Sequence, residues 1–151
     1  MYLLSIACVI VMTGLLGFVA GMDITRLFDV ISLLLLILFL IPMLVSGGLL
    51  KDFNNAFRLV MGKREPAALM ELKRAKEAVS LAIRISLASS VFITAMSGAL
   101  ILFTVDDLAA LGPNVAVAMI SLIYGMGLVL ILLPLQSRLN LKIQEFISEK
   151  E

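Results

Sequence analysis

The most regular polar spacing in the chain belongs to hydroxyls. Ser86, Ser90, Thr94 and Ser97 follow one another in steps of four, four and three, with Gly98 beside the last. Those steps keep side chains on one face of an α-helix. A later apolar stretch carries Ala118, Ser121 and Gly125 on a related face, with Tyr124 next to them. Hydroxyls in such surroundings have two uses. They can line an ion path, here through Ser90, Thr94, Ser97, Ser121 and Tyr124, replacing part of an ion's hydration as it passes. They can equally bond the carbonyl four residues back while small neighbours let two helices approach closely. Four consecutive turns of hydroxyls exceed what close packing requires, so both readings stand. Other chemistry lacks its residues. There is no histidine, so neither metal clusters nor imidazole acid/base catalysis is expected. The single cysteine, Cys8, has no partner within the chain and reads as a packing residue. No acid/base or nucleophilic pair converges, so no catalytic residue, enzyme activity or cofactor is expected.

The elements that hold these hydroxyls are apolar spans over 3–20, 28–50, 78–104 and 115–135. None carries Asp, Glu, Lys or Arg in its central third. Each is close to the ~20 helical residues that cross a ~30 Å hydrocarbon core. The chain has 151 residues, 62% of them hydrophobic, and a mean hydropathy of +1.13. It therefore reads as all-α, a single polytopic membrane domain over 1–151 with four transmembrane helices. Segment 51–77 is its one sizeable non-membrane part, too short for a soluble catalytic domain. Intramembrane ionisable groups are the usual proton relays. This chain supplies none, so any transported proton or sodium ion has to find its acid on a partner.

The formal net charge of +1 hides an asymmetry. Between residues 51 and 85 lie Lys51, Arg58, Lys63, Arg64, Lys73, Arg74, Lys76 and Arg84, and the tail adds Arg138, Lys142 and Lys150. The two short connections hold Arg26 beside Asp23, Asp29, Asp106 and Asp107. The positive-inside rule then places both termini and the central segment in the cytoplasm. The Asp106-Asp107 pair reads as a solvated turn. The first span lacks the basic stretch that opens a signal peptide, and it leads directly into another span. Gly14, Gly17 and Gly21 read as a packing groove on it.

Beyond Gly47-Gly48 the second span is expected to run on as a helix leaving the membrane. Phe53, Phe57 and Val60/Met61 mark one apolar stripe there, suited to the headgroup boundary or to a neighbouring helix. That helix should stop near Gly62, and Glu65-Pro66 should open the next. From Ala67 to Thr104 no proline intervenes, so the third span should begin outside the membrane and enter it unbroken, with Arg84 snorkelling at the entry. Residues 136–151 should extend the fourth helix and bundle with 65–77. Pro113 is expected in the first turn of the fourth span, while Pro42 and Pro134 should bend their helices. The second span, rich in Leu and Ile, should face lipid. Spans three and four should be the buried pair, with spans one and two peripheral.

Two stretches resemble a known family. The run Leu111-Gly112-Pro113-Asn114-Val115-Ala116-Val117-Ala118-Met119-Ile120-Ser121-Leu122-Ile123-Tyr124-Gly125, with Leu133-Pro134-Leu135 and Arg138-Leu139 after it, resembles the last membrane helix of MotA, the flagellar stator subunit of the MotA/TolQ/ExbB superfamily. Phe28 to Leu35 and Leu49 to Phe57 resemble the second MotA helix and its extension. The resemblance implies a homo-pentamer around two copies of a MotB- or ExbD-like single-span partner whose aspartate takes up the ion, in the bacterial inner membrane. It also implies that Pro113 and Pro134 let the surrounding helices accommodate ion uptake, and that Arg58, Lys73 and Arg74 are the surface that meets the load. Two departures accompany it. The large cytoplasmic domain that engages the flagellar rotor is replaced by 62–77. The family's Gly-Thr pair in the third span falls on Thr94-Ala95, and its Thr-Thr pair in the fourth on Ser121-Leu122. The leading expectation is a channel-forming subunit of an ion-driven, stator-like complex. The alternative is a non-conducting pentameric membrane scaffold.

Overall fold

A computed structural model describes residues 2–19, 21, 29–62, 68–104 and 107–148. The described residues form five helices and no strand: α1 (Tyr2–Val19), α2 (Val30–Ser46), α3 (Leu50–Val60), α4 (Leu69–Thr104) and α5 (Leu108–Ser148). The frame is an antiparallel hairpin of α4 and α5, which make by far the most extensive contact in the molecule. At 36 and 41 residues they run roughly 54 and 62 Å at the helical rise of ~1.5 Å per residue. Both are long and apolar enough to cross a membrane, and α2 with α3 passes the same test as a bent pair. Length and composition thus carry two spanning helices, or three with that pair. α1 is a shorter apolar helix.

One end of the hairpin carries Lys51, Arg58, Lys73, Arg74, Arg84, Arg138 and Lys142, and the other carries Asp29 and Asp107. We refer to these as the basic and acidic ends. At the basic end Leu44 of α2, Ala56 and Leu59 of α3, Leu72, Ala75 and Val79 of α4, and Leu132, Leu135 and Leu139 of α5 close into one core. Ile143 and Phe146 pack against it, so the tail does bundle with the first turns of α4. α4 is uninterrupted to Thr104, as expected. Its start falls at Leu69, and Glu65-Pro66 lies outside the described residues.

The expected run of the second span past Gly47-Gly48 is corrected. α2 ends at Ser46, and α3 departs at 102° to it. The break is a Schellman turn: Leu49 N–H reaches Leu44 O at 3.0 Å, and Gly48 N–H reaches Val45 O at 2.9 Å. Gly48 takes φ +64°, the left-handed conformation that this turn requires and glycine accepts without penalty. Leu49 and Leu44 then both join the core, which is the hydrophobic contact that accompanies the motif. α3 ends at Val60, and Gly62 (φ +69°) follows, so that stop is where the sequence puts it.

Pro113 is also corrected. It lies inside α5, which begins at Leu108, not in its first turn. Asp107 Oδ1 accepts the Ala109 N–H at 2.9 Å, so the acid read as a solvated turn caps the helix upstream of the proline. Gly21 lies beyond the end of α1 with φ +61°; it is a turn residue, whereas Gly17 is buried within the helix. α2 turns Ser32, Leu36 and Leu44 inward and leaves Ile31, Leu34, Leu38 and Met43 exposed, as a lipid-facing helix would. Cys8 is exposed.

Candidate functional site

Halfway along the hairpin the Leu/Ala core gives way to hydroxyls. Ser86, Ser90 and Ile93 of α4 are buried with Ala118, Ser121 and Gly125 of α5, while Ser89 is buried on the side of α4 that meets Phe39 and Met43 of α2. The two helices come into close contact at Gly125. A Cβ built there would overlap the Cβ and Oγ of Ser90 and lie 2.9 Å from the Ser86 carbonyl oxygen, so only glycine permits this approach. Gly127, two residues on, has open space around it.

Most of these hydroxyls are engaged. Ser89 Oγ donates to Ile85 O at 2.7 Å, Ser90 Oγ to Leu87 O at 2.9 Å and Ser121 Oγ to Ala118 O at 2.9 Å. Such bonds let a hydroxyl sit in apolar surroundings without an orphaned proton. Thr94 Oγ1 and Ser121 Oγ lie 2.9 Å apart. Because the Ser121 proton points to Ala118, Thr94 is the donor in this pair, and the bond ties α4 to α5 across the seam. Ser86 Oγ is the buried side-chain oxygen left without a partner among the described residues.

Toward the acidic end the seam opens. A recess of about 380 Å³ is lined by Asp29, Ser32, Ser97, Asn114 and the apolar flanks Ile93 and Ala118. Asp29 is the N-cap of α2. Its Oδ1 accepts the Ile31 N–H at 3.1 Å, and its Oδ2 accepts the Ser32 hydroxyl at 2.6 Å. Its own N–H donates to the Tyr124 hydroxyl oxygen at 3.1 Å, so α5 holds the start of α2. Asn114 Nδ2 donates to Ala110 O at 2.9 Å.

The sequence-predicted residues therefore divide. Ser90, Thr94 and Ser121 meet in the seam, Ser97 lines the recess next to it, and Tyr124 is drawn off toward Asp29 and a separate apolar cavity of about 220 Å³ that also takes in Thr13, Leu33 and Gly127. Pro113 and Pro134 both sit within α5. Arg58 and Lys73 are exposed. Arg74 pairs with Asp52 at 3.0 Å and reaches Gly48 O at 3.5 Å, so part of its charge goes to bracing the α2–α3 turn. The Asp29–Ser32–Asn114 group was missed. Its signal was present, since an aspartate directly before an apolar run is an N-cap pattern. Ser89 was missed because a step of four from Ser86 passes over it.

No family model, no curated protein and no solved structure matches the chain. Among the described residues no group of three or more His, Cys, Asp or Glu side chains comes together.

Proposed function

We propose that the chain is a membrane-embedded, channel-forming subunit of an ion-motive-force-driven complex of the MotA/TolQ/ExbB kind, in which proton or sodium flow moves a partner. The observation that carries this reading is the Thr94–Ser121 hydroxyl pair, 2.9 Å apart, with a recess on its acidic side into which Asp29, Ser32, Ser97 and Asn114 bring polar atoms among a largely apolar lining. Oxygen ligands at the mouth of a narrow hydroxyl seam suit a partly dehydrated cation or a proton. In this reading α1, α2, α4 and α5 all cross the bilayer, the basic end faces the cytoplasm by the positive-inside rule, and five copies surround a single-span partner. That partner's aspartate takes up the ion, since Asp29 lies at a helix end and the spans bury no acid. One charge crossing 100 mV releases about 2.3 kcal/mol, enough to bias a two-state helix arrangement. Lys73 is an exposed cation that faces the load.

A second reading has its own support. Ser89, Ser90 and Ser121 spend their protons on carbonyls of their own helices, and Gly125 seals the seam against Ser90. A closed seam of this kind suits a non-conducting pentameric scaffold. Ion flux into vesicles that hold the chain with its copurifying partner separates the two. Under the channel reading Thr94→Val lowers flux and Leu122→Thr, which restores the family's hydroxyl pair, changes its rate or selectivity; under the scaffold reading neither flux nor its ion dependence responds.

A further inference from the structure

α3 leaves α2 at 102°, so a membrane crossed along α2 has its surface running nearly parallel to α3. One face of α3 is spent on the core, where Ala56 and Leu59 are fully buried. The opposite face is not. Lys51, Asn54 and Arg58 are exposed, and their spacing of i, i+3 and i+7 puts them on one side of the helix. Between the two faces Phe53 and Phe57 pack edge to face with centroids 5.3 Å apart. With Leu50, Lys51 and Asn54 they line a groove of about 360 Å³. The one acid of α3, Asp52, is turned inward onto Arg74, so the outward face presents cations and no anion of its own.

We propose that this outward face is a binding site for anionic phospholipid in the leaflet at the basic end. Lys51 and Arg58 take the phosphate and the anionic headgroup, Asn54 donates to the phosphate oxygens, and the Phe53/Phe57/Leu50 groove receives the glycerol and the upper acyl chain. The position accounts for the choice of occupant: the groove begins four residues after α2 ends, at the depth where an apolar span gives way to charge. Basic residues with apolar and aromatic neighbours are the combination that holds a helix at the headgroup boundary, and each cation near an anionic surface strengthens the attachment. The inference rests on the membrane reading above.

The test uses the full chain in nanodiscs of phosphatidylcholine doped with phosphatidylglycerol, with retained lipid identified by native mass spectrometry. Preferential retention of phosphatidylglycerol is expected. Lys51→Gln with Arg58→Gln should weaken it by roughly five-fold per charge, about twenty-five-fold for the pair. Lys73→Gln with Arg84→Gln, equally basic but off the groove, should leave it within about two-fold. Equal loss in both double variants, or retention of the two lipids in proportion to their abundance, would overturn the site. A photoreactive side chain at Asn54 in native membranes should give lipid adducts; protein adducts would show a partner's surface there instead. Competition by soluble glycerophosphate as effective as that by the lipid would also overturn it. Extraction of the chain by carbonate washing would sink the membrane reading itself, and that result is independent of the lipid arms.

Discussion

Two stretches of the contact between α4 and α5 are built on different chemistry. At the basic end Leu72, Ala75, Val79, Leu132, Leu135 and Leu139 make a Leu/Ala core joined by residues from α2 and α3. Halfway along, the same two helices meet through Ser86, Ser90, Thr94, Ser121 and Gly125. The hydrophobic effect explains the first where the core stands clear of the membrane, as Leu72, Ala75 and Leu139 do in the reading proposed above. It cannot explain the second if the seam lies in lipid, where a leucine gains nothing by leaving the hydrocarbon. Association in that setting relies on close van der Waals approach and interhelical hydrogen bonds, which is what Gly125 and the Thr94–Ser121 pair provide.

The contrast can be broken from either side by measuring reversible unfolding in mixed micelles. Leu139→Ala, which empties a fully buried site in the junction core, should destabilise by about 3 kcal/mol, within the range of large-to-small core changes. Gly125→Ala should follow at about 2 kcal/mol, because the new Cβ meets Ser90 and the Ser86 carbonyl, whereas Gly127→Ala should be neutral or slightly favourable through helix propensity. Equal effects at the two glycines would remove the close approach from the account. Lys142→Met should cost about 1 kcal/mol, since Lys142 Nζ donates to Leu59 O at 2.6 Å and caps the end of α3 from α5. Thr94→Val and Ser121→Ala should each cost less than that, with a coupling of about 0.6 kcal/mol in the double-mutant cycle; zero coupling would mean that the pair does not bond. Smallest of all is Ser86→Ala, expected to be neutral or slightly stabilising because its hydroxyl is buried without a partner. A loss of 1 kcal/mol or more would reveal a bond that this arrangement lacks.

How much of this was legible in the sequence differs between the same regions. The apolar stretches showed that α4 and α5 are the buried pair of helices, and the hydroxyl steps put Ser90 and Thr94 on one face of α4 and Ser121 on a related face of α5; that the two faces meet is what the structure adds. The α2–α3 break was not read, because leucines flank Gly47-Gly48 on both sides and mask the turn. The signal was Gly48 itself, as a left-handed C′ position after a helix. Pro113 misled for a related reason. A first-turn position is the commonest place for proline, yet Leu108–Leu111 are good helix formers already capped by Asp107, and a membrane helix tolerates the proline. Asp29 was legible as an N-cap, but the recess around it was not, because its polar atoms come from the start of α2, from α4 and from α5, and no spacing along one helix brings them together. Charge pattern alone could not show that Asp52 turns inward to Arg74 and leaves the outer face of α3 cationic.

The proposal that the seam lines an ion path for an acid supplied by another protein is tested most directly by purifying the chain in mild detergent, counting its subunits and identifying what accompanies it. Five copies holding two of a single-span protein with an aspartate inside its span are the predicted result. A stable assembly with no acid-bearing partner, unable to pass protons or sodium in vesicles, would contradict it and leave the sealed seam of a scaffold.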